Sequence, residues 1–120
     1  EKRKEILYLG NFGGVRRKMR YLINNKIYDT ETSEKIITYI KQIPHDGLFI
    51  TTYPKYRHTL YKTKKGQFFV HIGEYVGKTD VSYCNKDYIE LISEDEVKGI
   101  LNALNDIEKY QELFDDIEEG

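Results

Sequence analysis

The feature that most constrains this chain is a series of strand-like runs separated by turn-forming residues. Leu48–Tyr53, Arg57–Thr63, Gln67–Ile72 and Tyr88–Ile92 are rich in Thr, Tyr, Phe, Val and Ile. Pro54-Lys55 and Lys65-Gly66 break the series where a tight reversal is needed. Short runs joined this closely can pair only antiparallel, because a parallel pair needs a crossover of a dozen residues or more. Upstream, Met19–Ile23 and Lys26–Tyr28 flank Asn24-Asn25, a pair that tolerates the positive φ of a two-residue hairpin turn. Between Gly73 and Lys86 the pattern lapses, and a long loop is expected.

Two helices are predicted around this meander. The first opens at Asp29 or Thr30, carries Glu31 and Glu34 in its first turn, and places Ile36, Ile37, Ile40 and Ile43 at helical spacing before Pro44. The second begins with the capping box Ser93-Glu94-Asp95-Glu96. Val97, Ile100, Leu101, Leu104, Ile107, Gln111 and Phe114 then form one face as far as Ile117, with a bend expected near Asn102, Asn105 and Asp106. The expected class is α+β: an antiparallel meander of about four to six strands with two helices on one face.

At 120 residues the chain suits one small domain, read as residues 19–120 behind a basic extension, residues 1–18. No apolar run reaches the length of a membrane span, so no membrane partner is expected. The lone Cys84 cannot close an internal disulfide, which fits a reducing, cytoplasmic setting. No cofactor and no metal are expected, since His58, His71 and Cys84 lack any recognised ligand spacing. Gly10, Gly13 and Gly14 ahead of Arg16-Arg17-Lys18 match no phosphate-binding fingerprint.

The net charge of −1 conceals strong segregation. Residues 1–28 carry +6, residues 29–54 carry −2, residues 55–80 carry +4 and residues 81–120 carry −9. A basic front and middle set against an acidic end point to nucleic acid or a charged protein partner. Docking of the acidic end on the basic arm, within one molecule or between two, is the reading preferred here. A solvated helix end and mimicry of nucleic acid remain open.

With a two-residue turn at Lys65-Gly66, Lys62 would pair with Phe69 and Leu60 with His71. One face would then hold His58, Leu60, Lys62, Lys64, Gln67, Phe69 and His71, with Lys65 at the tip. Lysines that track phosphates beside an aromatic ring that stacks a base suit single-stranded nucleic acid. An ordinary solvated strand pair with lysines guarding an edge is the plainer alternative. On the same face His58 and His71 are candidate acid and base for metal-free RNA cleavage, an alternative function as a small ribonuclease. A third alternative is a module that homodimerises through its last helix and touches no nucleic acid.

Tyr28-Asp29-Thr30-Glu31-Thr32, the hairpin segment from Leu60 to Phe69, and Ile92-Ser93-Glu94-Asp95-Glu96 appear in an order and spacing that resembles a family of small prophage and mobile-element proteins of low-GC Gram-positive bacteria. The resemblance spans roughly Met19 to Leu104, and it carries over no catalytic residue. Most members have no assigned activity; some are similar to anti-CRISPR proteins that block type II effector nucleases, in some cases through the guide RNA. The resemblance therefore implies an inhibitor of a CRISPR effector, with His58, Lys62, Lys64, Lys65 and Phe69 as the contact face and Arg16, Arg17 and Lys18 as an auxiliary arm. This chain departs from the family in residues 1–18 and in the loop from Gly73 to Lys86, which lacks a Gly/Ser/Asn-rich stretch.

Overall fold

The computed structural model describes residues 6–9, 19–75 and 87–120. Nine strands follow in chain order among them: β1 (Ile6–Leu9), β2 (Arg20–Ile23), β3 (Lys26–Asp29), β4 (Glu34–Gln42), β5 (His45–Asp46), β6 (Thr51–Thr52), β7 (Lys55–Lys62), β8 (Phe68–Tyr75) and β9 (Asp87–Ile92). Two helices end the chain, α1 (Glu94–Leu104) and α2 (Ile107–Leu113). The main sheet has five antiparallel strands in the order β1-β4-β7-β8-β9, and the class is α+β.

One face of the sheet meets the helices. Ile37 and Tyr39 of β4, Leu60 of β7, Phe68, Val70 and Ile72 of β8, and Ile92 of β9 form a single buried cluster with Val97, Leu101 and Phe114. The other face is covered by the β2–β3 hairpin, whose Tyr28, with Tyr21 and Ile23, packs on Tyr61, Phe69 and Ile89. The Asn24-Asn25 turn does what its composition predicts, with φ of 51° and 63°. Ile37 and Val70 on one side, and Tyr61 and Phe69 on the other, therefore each meet an apolar layer. That arrangement buries both faces of a sheet that a single helix layer would leave half exposed.

The first predicted helix is a strand. Glu34–Gln42 forms β4, paired with β7 along its length and with β1 over its second half. The four isoleucines fit a helical stripe, but Ile and Thr favour a pleated surface, and two neighbouring strands fix the outcome. A break in register between Lys35 and Ile37 lets consecutive Ile36 and Ile37 both be buried. The polar residues read as a helix cap close a turn instead: Asp29 Oδ1 accepts from the Glu31 N–H at 2.8 Å, and the Ser33 N–H bonds the Asp29 carbonyl at 3.1 Å.

The basic extension also needs correction, because Ile6–Leu9 is an edge strand of the main sheet and Leu7 packs against the helix-side core. Residues 10–18, including Arg16, Arg17 and Lys18, lie outside the described residues. The expected loop after Gly73 begins later, since β8 continues to Tyr75; residues 76–86, with Cys84, are also outside the described set. Leu48–Ile50, read as part of a strand, instead tops the small β5–β6 hairpin.

The second helix opens with its capping box: Ser93 Oγ accepts from the Glu96 N–H, and Glu96 Oε1 accepts from the Ser93 N–H, both at 3.1 Å. The expected bend is a full break. Asn105 sits at φ 55°, Asp106 caps α2 by accepting from the Lys109 N–H at 3.2 Å, and Phe114 turns back onto Phe68. The acidic end folds onto its own helix layer: Asp116 Oδ2 lies 2.7 Å from Lys98 Nζ. Those two partners, Lys98 first and then the Tyr110 hydroxyl, hold the Asp116 carboxyl below its ordinary range.

Candidate nucleic-acid interface

The β7–β8 connection is one residue longer than the sequence pattern implied. The Gly66 N–H bonds the Thr63 carbonyl at 2.9 Å, and the Thr63 N–H bonds the Gln67 carbonyl at 2.8 Å. Lys64, Lys65 and Gly66 therefore form a three-residue loop, with Gly66 at φ 90°, where a side chain would be strained. Opposing pairs become Lys62 with Phe68, Tyr61 with Phe69 and Leu60 with Val70. A one-residue slip moves every side chain of one strand to the other face relative to its partner. The expected wet, basic face does not exist.

Phe69 moves furthest from expectation. It is 0% exposed, stacked on Tyr61 at 5.1 Å between ring centroids and meeting Tyr28 edge-on at 5.7 Å. A ring enclosed in this way offers no face to a nucleotide base. His58 points to the helix side, 7% exposed, with its ring 5.1 Å from that of Tyr39 and Nδ1 3.2 Å from the Tyr56 carbonyl. It lines a cavity of about 320 Å³ with Tyr39, Glu90 and α1. Burial, reinforced by Glu90, pushes the Tyr39 phenol far above its usual range, so it stays a neutral hydroxyl.

His71 points the opposite way, under the β2–β3 hairpin. Its Nε2 lies 3.2 Å from Asp87 Oδ1, and the Tyr21 ring centroid is 6.5 Å away. Burial lowers the His71 pKa from its ordinary value, Asp87 opposes that shift, and Arg57 adds to it. With His58 and His71 on opposite faces of one sheet, they cannot serve as acid and base on one phosphodiester. The sheet therefore separates the two histidines expected as a ribonuclease pair. Asp87 and Tyr21, which flank His71, were not singled out by the sequence, because neither stands at a motif spacing from it.

The lysines remain at the surface. Lys64 and Lys65 are exposed on the loop and make no hydrogen bond or ion pair with any described residue. Lys62 Nζ sits 5.5 Å above the Phe68 ring, a contact that steadies the ammonium without neutralising it. Beside the loop, the turn joining β3 to β4 brings up the hydroxyl residues Thr32 and Ser33. A shallow cleft of about 450 Å³ lies between the two turns, lined by Thr32, Ser33, Glu34, Lys62, Thr63, Lys64 and Gly66. Two ammonium groups, three hydroxyls and a glycine that leaves backbone accessible are donors suited to phosphate oxygens; Glu34, cross-strand from Lys62, is the single carboxylate among them.

Among the described residues no three His, Cys, Asp or Glu side chains converge as a metal site, and no helix is long and apolar enough to cross a membrane. The chain matches no protein-family model, no curated protein and no solved structure.

Proposed function

We propose that this chain is a binding protein that captures a phosphate backbone with the lysine-bearing β7–β8 tip. The observation that carries this reading is the cleft in which Lys62 and Lys64 meet the hydroxyls of Thr32, Ser33 and Thr63, with Lys65 exposed on the same loop. Some members of the family it resembles are similar to anti-CRISPR proteins, and on that resemblance the chain acts as an anti-CRISPR-type inhibitor. The specific partner is then a type II effector or its guide RNA, and the effect is a block of target DNA recognition or cleavage.

The binding is electrostatic in origin, with Phe69 supporting the tip from the core and taking no part in contact. Each single-strand phosphate neutralised contributes a slope of about −0.7 in log affinity against log salt, so three lysines give about −2. Raising salt from 50 to 200 mM then weakens binding by about twentyfold. Fluorescence anisotropy with a labelled guide RNA, for wild type and for Lys62→Glu/Lys64→Glu/Lys65→Glu, measures both quantities. The expected result is loss of binding and of effector co-elution in the triple variant, with circular dichroism unchanged. Wild-type RNA affinity and nuclease inhibition persisting in that variant would reject the tip as the contact.

A further inference from the structure

The cavity of about 320 Å³ beneath α1 shares no residue with the lysine cleft. Strand alternation builds its floor on the helix face of the sheet. Tyr39 of β4 stands beside His58 of β7, and Val70 of β8 beside Glu90 of β9, each pair directly cross-strand. Glu96 and Gly99, three residues apart on one face of α1, belong to the roof. A Cβ on Gly99 would meet no atom within 4 Å, so the roof is open in the middle of the helix. Glycine costs helix stability there, and no described neighbour demands it.

Tyr39 is the polar group in this cavity that the fold leaves without a partner. The residue is 2% exposed, and its hydroxyl bonds no described residue. Its ring lies against that of His58, 5.1 Å between centroids, which holds the phenol in place. Buried hydroxyls are almost always satisfied, because an unpaired one forfeits its bonds to water. Glu90 is near enough to raise the Tyr39 pKa beyond the effect of burial alone. The phenol therefore keeps its proton and offers a neutral oxygen beside a carboxylate.

The groups gathered at this end of the cavity are acceptors. Glu90 makes no hydrogen bond or ion pair with any described residue, and Glu96 uses Oε1 alone for the cap of α1. Both residues are exposed, so the mouth is acidic. Lys41 stands three strands away from β9, about 14 Å, and has a partner of its own. Val70, Ile92 and Ile100 supply apolar wall. At about 30 Å³ for each water-sized group, the space holds about ten non-hydrogen atoms. An ammonium brings three donors and no acceptor, which matches two carboxylates and a phenol oxygen. We propose that the cavity between α1 and the sheet binds a small primary amine with an apolar body, its ammonium held by Glu90, Glu96 and the Tyr39 oxygen. This site is separate from the lysine tip, and the proposal does not rest on RNA binding.

Isothermal titration calorimetry with 2-phenylethylamine and hexylamine tests it, with 2-phenylethanol and phenylacetate as controls of similar size. Each amine is expected to bind one-to-one with a Kd below about 1 mM, the alcohol at least about tenfold more weakly, and the acid not at all. Glu90→Gln, at an exposed position, should weaken the amines by about tenfold with an unchanged circular dichroism spectrum. Gly99→Leu should fill the space and abolish binding, while its better helix propensity keeps or raises the urea midpoint. Tyr39→Phe should weaken the amines yet leave the free protein at least as stable, because the hydroxyl it removes bonds no described residue. No saturable heat with either amine at 5 mM overturns the inference. So do equal affinities for 2-phenylethylamine and 2-phenylethanol, or amine binding unchanged in Glu90→Gln or in Gly99→Leu.

Discussion

Replacing Phe69 with alanine separates a core role from a contact role at the position where sequence and structure differ most. The ring is fully buried and lies between Tyr61 and Tyr28, joining the main sheet to the β2–β3 hairpin. Phe→Ala in a closed core costs about 3–5 kcal/mol, and the two lost ring pairs, each worth about 0.5–1.5 kcal/mol, push toward the upper end. A domain of this size has about 5–15 kcal/mol in total, so the variant should sit near the edge of folding. With a urea dependence of about 2 kcal/mol per molar, the midpoint falls by about 2 M at unchanged slope. Phe69→Leu, which keeps most of the volume, should recover more than half of that. Amide exchange should show the β2–β3 hairpin loosening before the helix side does, because Tyr28 loses its edge contact first. A midpoint within about 0.3 M of wild type, together with loss of RNA binding, would refute the argument and restore Phe69 as a stacking platform.

Gly66→Ala meets no atom within 4 Å, so its cost is the strain of a φ of 90°, about 1–2 kcal/mol, read as a lower urea midpoint. Ser93→Ala removes one half of a reciprocal cap and should cost about 1 kcal/mol, with fraying confined to the first turn of α1 by amide exchange. Burial holds the His71 pKa below its ordinary 6.5, so the unfolded chain takes up that proton first as pH falls. Stability is therefore fully present above about pH 6.5 and is lost progressively below it, down to the folded-state pKa. The urea midpoint should drop between pH 7.5 and 5.5 in wild type, and His71→Gln should show a smaller drop.

The parts of the fold legible in the sequence are those fixed by a few neighbouring residues. The Asn24-Asn25 turn, the Ser93 capping box and the break at Asn105 each follow from backbone chemistry within four positions. The segment Glu34–Gln42 failed because its isoleucines satisfy a helical and a pleated surface equally, and the partners that decide, β1 and β7, are remote in the chain. The site failed for a smaller reason. One residue more in the loop at Gly66 put Phe69 and His58, expected on one face, on opposite faces, while the loop lysines kept their exposure because a tip is exposed in either register. The Leu48–Ile50 tip of the β5–β6 hairpin was hidden by its own composition, since apolar residues flanked by Thr and Tyr read as a buried strand.

The placement of β4 has a kinetic consequence. The β7–β8 loop of three residues lets those two strands zip together on the microsecond scale of hairpins. β4 must instead find β7 across the twelve residues 43–54 and then receive β1 from the far N-terminal side. Until it does, Glu34–Gln42 has only its local preference, and transient helical turns there compete with the sheet. Closing that long loop is an entropic cost met before any contact compensates. Refolding should therefore be limited by the docking of β4, with the meander and α1 already formed and waiting for it.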